Sequence, residues 1–352
     1  MTPRETVTAT IHGRHAGKKP VFMPYENKVV PGKALDKLLE RGMGILKRVR
    51  FCDEKHAAGK IEIKERTEKR GDYEHIITFA DTPYGGLRQT VMRNGLTDYI
   101  SEHFVKTPGD YKAYKYMQES LVFSPDYSEI EQSYNTLDQS YYIRCGTGYE
   151  PIQKLIINAM GTEAFCYQWM DNREELLELA DCLERQYLSC CMAAAGSPMI
   201  EMVNIGGNVV PDIIGVDTFK KFHLRHYNEA ARILHEKGKL AGAHLDGDNS
   251  LILDLLETSG LDYIEAYDTS CSPPLKKAVK RAPSKVYWVN FPSAVHLSDK
   301  KTIYDTAIRL LSEGAEARGL VIGVTEDVPK DRWEFSYNVI MDAIDDFYGS
   351  KN

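Results

Sequence analysis

The sequence predicts a parallel α/β fold, a (β/α)8 barrel of the TIM type that carries an antiparallel β insertion in its N-terminal part. From residue 171 onward, helical segments alternate regularly with short apolar runs rich in Val, Ile and Tyr. This is the pattern of a parallel sheet covered by helices. Each apolar run becomes polar at its C-terminal end. No stretch fits GxGxxG or GxxxxGKS/T, the phosphate loops of open doubly wound sheets, so the barrel is preferred.

The second half of the chain supplies five of the expected barrel strands. Helix and strand follow one another in turn, as they do where each strand of a barrel leads into a crossover helix. The expected strands are 198–205, 239–247, 261–268, 285–292 and 320–329, and the expected helical segments are 172–194, 218–238, 249–260, 275–283, 301–319 and 331–347.

The first half combines two barrel strands with an antiparallel region. Residues 20–26, PVFMPYE, are expected to form the first barrel strand, and YYIRCG (141–146) to form a strand that rejoins the barrel near Arg144. Between them, residues 46–95 show the alternating pattern of an antiparallel meander. We therefore expect a single barrel domain over residues 1–352, with 46–95 as a β-rich insertion or lid within it.

Composition and charge limit the class of partner. The 352 residues include 44 basic and 51 acidic side chains, a net charge of −7. Nucleic acids and anionic membranes are bound by an excess of Lys and Arg, so neither is expected as a partner. No apolar run reaches the roughly 18–20 residues of a membrane span, and the first residues lack the apolar core of a secretory signal. We expect a cytoplasmic protein that acts on a small molecule and forms a homodimer.

Seven cysteines are present, at positions 52, 145, 166, 182, 190, 191 and 271. They form no CxxC pair, and their odd number argues against a disulfide framework or a zinc ribbon. Reduced thiols are expected. Cys190 and Cys191 lie within an apolar helical pattern and are expected to pack in the core.

Polar side chains recur where the expected strands end. In a parallel barrel these ends open on one face, where the active site is built. The residues concerned are Glu201 and Asn204, His244 and Asp246, Glu265 with Tyr267 and Asp268, Asn290, and Thr325 with Glu326 and Asp327.

The stretch AGAHLDGD (241–248) suggests a metal site. His244 and Asp246 are two residues apart, so their side chains point the same way on a strand. Glu265 ends the next strand, and Glu326 ends a later one and could close the ring. Imidazole and carboxylate groups bind zinc. The alternative interpretation is a turn, in which DGD caps the following helix through Asp248.

Several motifs resemble the uroporphyrinogen decarboxylase superfamily, and within it the cobalamin-dependent methyltransferase branch. They are IEMVNIGG, AGAHLDGD, LDYIEAYD, VYWVNFP and GVTEDVPKDRW, and the segments PRETVTATIHGR, PVFMP, TPYGGLRQ and VKTPGDYK are similar too. The likeness covers nearly the whole chain, although only the second half has specific motifs.

The resemblance implies a zinc held by a His-x-Cys pair, a later cysteine and, in related methionine synthases, a glutamate. His244 falls on the histidine, Asp246 on the first cysteine, Glu265 on the glutamate, and residues 324–326 on the second cysteine. Both cysteines are missing here, which leaves an oxygen-rich donor set. Such a zinc would act as a Lewis acid on a methylated oxygen rather than activate a thiol.

The resemblance therefore implies an enzyme that moves a methyl group from a methoxylated or otherwise methylated small molecule to the cobalt of a separate corrinoid protein. In this interpretation His244, Glu265 and Asp246 are metal ligands, and Glu326 and Glu201 are catalytic. Substrate contacts are expected from Asn204, Tyr267, Asn290 and Arg144. A salt bridge to a glutamate is the alternative role for the arginine.

Two other functions stay open at this point. A metal-free decarboxylase of the same superfamily would need an arginine-rich N-terminal segment, and this chain has no arginine between Arg14 and Arg41. A non-catalytic barrel that binds a corrinoid protein is the other, and the missing cysteine ligands favour it.

Overall fold

The computed structural model describes residues 1–95 and 98–349, and the chain divides into two compact units. The barrel unit consists of Met1–Phe51, Asp126–Thr147 and the chain from Ala194 onward. The insert unit consists of Cys52–Pro125 and Gly148–Ala193. In the described part of the chain, no helix combines the length and the apolar character needed to cross a lipid bilayer.

The strands, in chain order, have the following bounds. They are β1 (Phe22–Pro24), β2 (Ile45–Arg48), β3 (Cys52–His56), β4 (Glu62–Arg70), β5 (Tyr73–Thr82), β6 (Gly85–Arg93), β7 (Asp98–Glu102), β8 (Leu121–Pro125), β9 (Tyr141–Gly146), β10 (Met202–Gly207), β11 (Leu240–His244), β12 (Tyr263–Asp268), β13 (Val286–Asn290) and β14 (Leu320–Val324).

The α-helices connect these strands. They are α1 (Pro3–Ile11), α2 (Lys33–Glu40), α3 (Tyr111–Glu119), α4 (Ser128–Thr136), α5 (Pro151–Lys154), α6 (Thr162–Asp171), α7 (Arg173–Gly196), α8 (Pro211–Ile214), α9 (Val216–Thr218), α10 (Leu224–His235), α11 (Leu253–Glu257), α12 (Leu275–Arg281), α13 (Lys300–Glu313) and α14 (Trp333–Gly349). Short π-helical turns span Leu155–Met160 and Phe219–His223, and 3-10 turns span Glu26–Lys28, Pro108–Asp110 and Ser293–Leu297.

Eight parallel strands form the barrel unit and confirm the predicted (β/α)8 fold. Their order is β1-β14-β13-β12-β11-β10-β9-β2, and every neighbouring pair is parallel. A parallel bridge between Tyr25 and Leu46 joins the two outer strands. Closure removes the free edges of the sheet and gathers the C-terminal ends of all eight strands on one face.

The insert unit contains the antiparallel strands. Strands β4 to β7 form a four-stranded meander, and β3 pairs with β8. Its bounds differ from the expected 46–95, because Ile45 and Leu46 are buried in barrel strand β2 and the meander continues to Glu102. Helices between 148 and 193 complete the unit, and local periodicity could not assign them to it.

Inside the barrel, glycines leave room for large side chains on the neighbouring strands. A Cβ on Gly242 would lie 2.1 Å from the ring of Tyr263, and one on Gly323 would lie 2.5 Å from Trp288. Both rings are fully buried in the interior cluster, which Val7 of α1 joins. Helix α1 begins with a capping box formed by Thr2 and Glu5. The interior is therefore a packed apolar core, as in other barrels of this type.

We predict that Gly242→Ala lowers the free energy of unfolding by about 1–3 kcal/mol, because the added methyl must displace the Tyr263 ring in a close-packed interior. Urea denaturation measures this change. Gly146→Ala, another barrel-strand substitution, is the matched control, since its Cβ would lie 3.5 Å from the Asn204 carbonyl oxygen, an ordinary contact. Equal effects of the two substitutions would contradict the packing argument.

Candidate functional site

A fully buried carboxylate, Glu265 on β12, lies at the centre of the polar groups on the C-terminal side of the barrel. Its Oε1 accepts hydrogen bonds from the Arg144 guanidinium and, at 2.8 Å, from the Tyr25 hydroxyl. Its Oε2 accepts from the Asn204 side-chain amide, and His244 Nδ1 lies 3.1 Å away. Four donors from four different strands or strand ends therefore surround one carboxylate.

The charge of Glu265 is balanced by Arg144, which is itself only 6% exposed. The guanidinium also lies over the ring of Tyr25, 5.5 Å from its centroid. Burying an ion costs several kcal/mol unless a partner and hydrogen bonds compensate it. The pair meets this condition. Arg144 therefore forms a salt bridge with a glutamate, the alternative role expected from the sequence. Its Nη1 atom is bound to Glu265 and does not face a substrate carboxylate.

His244 is the polar group of this network that is most open to solvent, with a side chain 20% exposed. Because a carboxylate only accepts hydrogen bonds, the contact with Glu265 places the proton of the neutral ring on Nδ1. The other ring nitrogen, Nε2, lies 3.5 Å from Asp246 Oδ2. His244 is thus oriented from one side and can exchange a proton, or hold a ligand, from the other.

The backbone around His244 requires a glycine. A Cβ on Gly207 would lie 2.5 Å from the His244 carbonyl oxygen and 2.8 Å from its Cβ. Strands β10 and β11 shift register between Asn204 and Gly207, and the Asn208 amide then donates to the same carbonyl. The glycine pair after NI in IEMVNIGG therefore allows one strand end to pass close to the next.

A β-bulge at Ala266 changes which side chains of β12 face inward. The residue has φ 59°, and the register with β13 shifts between Glu265 and Tyr267. Tyr267 therefore leaves the interior: it packs edge-on against Tyr287 and donates to the Pro273 carbonyl. Burial raises the pKa of its hydroxyl well above the usual value. Tyr267, expected from simple alternation to contact the substrate, is instead fully buried with its hydroxyl bonded to the protein.

Asp268 takes the inward position after the bulge and binds Asn290. Asn290 Nδ2 donates to Asp268 Oδ2 at 3.3 Å, and its Oδ1 accepts from the Thr325 amide at 3.0 Å. Asn290 is 1% exposed. Its side-chain amide therefore links three strands, and both its nitrogen and its oxygen are hydrogen-bonded within the protein. Asn204 is similarly held between Tyr263, whose hydroxyl donates to it at 2.6 Å, and Glu265. Both predicted substrate residues thus have structural partners.

Glu201, expected from the sequence to be catalytic, lies at the N-terminal end of the barrel, whereas His244 lies at the C-terminal end. The strand expected over 198–205 begins at Met202, which places Glu201 before its N-terminal end. There the carboxylate accepts from Thr8 and Tyr142 and pairs with His12 at 3.1 Å. These contacts join α1 and the residue that follows it to barrel strand β9. The other predicted catalytic residue, Glu326, lies two residues beyond β14 and is exposed.

Three residues at or beside the site were not predicted from the sequence to belong to it: Tyr25, Tyr263 and Cys271. Tyr25 follows β1 and donates to Glu265, and the only sequence signal was its place at the end of PVFMPYE. Cys271 follows β12, and its thiol donates to the Asp246 carbonyl at 3.0 Å. Burial and the neighbouring acids Asp268 and Asp246 raise the pKa of this thiol.

The predicted ligands His244, Glu265 and Asp246 come together, but their arrangement does not fit a three-ligand zinc centre. Both oxygens of Glu265 accept hydrogen bonds, one of them from a cation. A catalytic zinc takes three protein ligands and an open position. Among residues 1–95 and 98–349, no three His, Cys, Asp or Glu side chains are placed to hold one metal ion. Only His244 Nε2 and Asp246 remain as a donor pair.

Comparisons with known proteins support the barrel fold. No protein-family model matches the sequence, and no characterised protein matches it. Among solved structures it is similar to a methyltransferase from Methanosarcina mazei, with a TM-score of 0.52 and 12% identity over 72% of this chain and 73% of that one.

A putative vitamin-B12 independent methionine synthase from Listeria monocytogenes is more distant, with a TM-score of 0.39 and 14% identity over 70% of this chain and 72% of that one. A glycoside hydrolase family 5 mannosidase from Rhizomucor miehei has a TM-score of 0.37 and 8% identity over 71% and 79%. The superfamily suggested by the sequence motifs stays a prediction.

Arg144→Met is predicted to lower the free energy of unfolding by about 3–5 kcal/mol, because it leaves the Glu265 carboxylate buried without its cation. Adding Glu265→Gln to this variant should recover part of the loss, which a double-mutant cycle in urea measures. Arg309→Met removes an exposed i,i+4 pair with Glu313 and should cost less than about 1 kcal/mol. Additive effects at 144 and 265 would show that the pair is not coupled.

Metal analysis tests the fit of zinc. We expect protein purified without chelator to contain well below one zinc per chain, and His244→Ala to leave that content unchanged, because two donors hold zinc less well than three. Elemental analysis gives the answer. Near-stoichiometric zinc that His244→Ala abolishes would contradict this and would mean that Glu265 exchanges Arg144 for the metal.

Proposed function

We propose that this protein is a methyltransferase that acts at the C-terminal face of its barrel, moving a methyl group from a methylated small molecule to the cobalt of a separate corrinoid protein. The observation that carries the proposal is His244, held at Nδ1 by a buried carboxylate and open at Nε2. The fold shared with the Methanosarcina mazei methyltransferase agrees with it, and the sequence resemblance supplies the corrinoid acceptor.

His244 serves as the acid that assists departure of the demethylated product. When a methyl–oxygen bond breaks, its electron pair stays on the oxygen, which needs a proton to leave as an alcohol or phenol. The imidazolium form of His244 gives that proton from Nε2, and Glu265 stabilises the ring through Nδ1. A positioned acid of this kind contributes about 10²–10⁴-fold to a rate. The reduced corrinoid supplies the nucleophile that takes the methyl group.

Asp246 and Glu265 have different roles in this proposal. Asp246 is 29% exposed on its side chain and lies beside Nε2, where it can accept a hydrogen bond from the substrate. Glu265 is a positioning residue, because the protein surrounds it and no substrate reaches it. Arg144 acts through Glu265 by fixing its charge.

The surface around the barrel mouth suits a protein partner. Large apolar side chains are exposed in segments that follow five different barrel strands in the chain. They are Val30, Ile213, Leu251, Leu297 and Phe335. Apolar side chains around a polar centre are typical of interaction surfaces. This supports docking of the corrinoid protein over the mouth, with the methyl donor held beneath it.

Zinc is not part of the proposed step. The sequence resemblance implies it, and the pair formed by His244 Nε2 and Asp246 is where it would bind if a third donor came from the substrate. The proton transfer described above uses the same nitrogen. His244 Nε2 therefore cannot bind zinc and donate the proton in the same step.

The experiment combines purified protein, a corrinoid protein reduced to the cobalt(I) state, and a panel of methoxylated and other methylated compounds. We expect methyl–cobalt absorbance to appear with at least one donor, and His244→Asn to lower the rate about 10²–10⁴-fold because it removes the acid. His235→Gln changes a half-exposed histidine on the outer helix α10 and should leave the rate within about twofold.

The possible results separate the candidate functions. Tight binding of the corrinoid protein with no methyl transfer from any donor would favour the non-catalytic barrel. Release of carbon dioxide from a porphyrinogen, without a corrinoid, would favour the decarboxylase. Unchanged methyl transfer in His244→Asn would remove His244 from the mechanism.

A further inference from the structure

Two cysteines of the insert unit face each other across β3 and α7. The Sγ atoms of Cys52 and Cys190 are 3.8 Å apart, although the residues are separated by 138 positions in the chain. No disulfide joins any of the seven cysteines, all of which lie in the described residues. A disulfide has an S–S distance of about 2.05 Å, so the two sulfurs need to approach by less than about 2 Å. Rotation of the two side chains can supply a movement of that size.

The adjacent Cys191 does not share this position. Successive residues of an α-helix point about 100° apart, so a helix that turns Cys190 toward β3 turns Cys191 elsewhere. Cys191 is fully buried, and burial raises the pKa of its thiol to about 12. It has the same chemistry and almost the same place in the chain, so it is a natural control.

We propose that Cys52 and Cys190 form a redox modification site that closes to a disulfide when the protein meets a peroxide. This proposal is independent of the methyl-transfer activity. From the sequence, both residues are expected only as reduced thiols, and Cys190 is expected to pack in the core.

The two thiols have different access to the oxidant. Cys52 is half-buried and Cys190 is 6% exposed. The Cys52 thiolate therefore attacks the peroxide first: a sulfur–oxygen bond forms, the oxygen–oxygen bond breaks, and water leaves after protonation. Cys190 then attacks the sulfur of the Cys52 sulfenic acid, gives up its proton and displaces a second water. Two thiols and one hydrogen peroxide yield one disulfide and two waters.

The surroundings keep Cys190 protonated until that second step. Contact with Cys52 and burial raise the pKa of its thiol, so it does not compete for the oxidant, because the thiolate is the reactive form. Lys154 lies close enough to interact with Cys190, as does the acid Glu54. The lysine charge favours the thiolate that forms during attack, whereas the glutamate opposes it.

The disulfide would cross-link β3, the first strand of the insert unit, to α7, the last helix of that unit. Cys52 is four residues beyond barrel strand β2, whose last residue is Arg48. Cys190 is in the last two turns of α7, which ends at Gly196. A disulfide here would close a long loop and restrict the unfolded states of the whole insert unit.

Thiol counting in denaturant, before and after hydrogen peroxide treatment of the folded full-length protein, tests the proposal. The seven thiols of the native chain should fall to five and return to seven with dithiothreitol. Proteolysis and mass spectrometry without reduction should find the peptides of Cys52 and Cys190 joined, about 2 Da lighter than their sum.

Matched variants identify the pair. Cys52→Ser should have six thiols and keep all six, whereas Cys191→Ser should fall from six to four. Retention of seven thiols by the native protein would overturn the proposal, as would thiol loss that dithiothreitol does not reverse or a cross-link through another cysteine. Mapping of the native protein needs no variant, so a Cys52→Ser protein that fails to fold does not prevent the decision.

Discussion

The buried carboxylate of Glu265 is the group on which the polar end of the barrel depends. Its donors come from β9, β10, β11 and the end of β1, and β1 and β9 each lie three strands from β12, on opposite sides of it in the strand order. They meet only when the sheet closes. The free energy that stabilises the ion therefore also stabilises closure, since a buried charge without these partners would be strongly unfavourable.

The same pairing determines what chemistry remains available. A carboxylate that accepts from Arg144 is not a free metal ligand, and an arginine that donates to it is not a free anchor for a substrate carboxylate. What reaches the surface is one nitrogen of His244 with Asp246 beside it. The site thus has a rigid buried part that sets orientation and a small exposed part that can react, which is the division of roles found in catalytic triads.

The sequence predicted the barrel and the meeting of His244 with Glu265, because buried parallel strands have a clear apolar pattern and their polar ends share one face. It could not predict the bulge at Ala266, which sends Tyr267 outward and Asp268 inward. One residue of register decides this, and no local pattern reports it. The position of Glu201 was missed for a similar reason: β10 begins at Met202, four residues after its expected start at 198, so Glu201 lies before the N-terminal end of the strand.

The stretch AGAHLDGD is more than a turn, because two of its residues, Gly242 and His244, belong to one chain of contacts. Gly242 leaves room for the ring of Tyr263. The hydroxyl of that ring donates to Asn204, and the Asn204 amide donates to Glu265, which binds His244. Core packing beneath the site therefore fixes the tautomer of the histidine above it. Gly242, which has no side chain, thus affects the orientation of His244 through the packing of Tyr263 and the hydrogen bonds that follow from it.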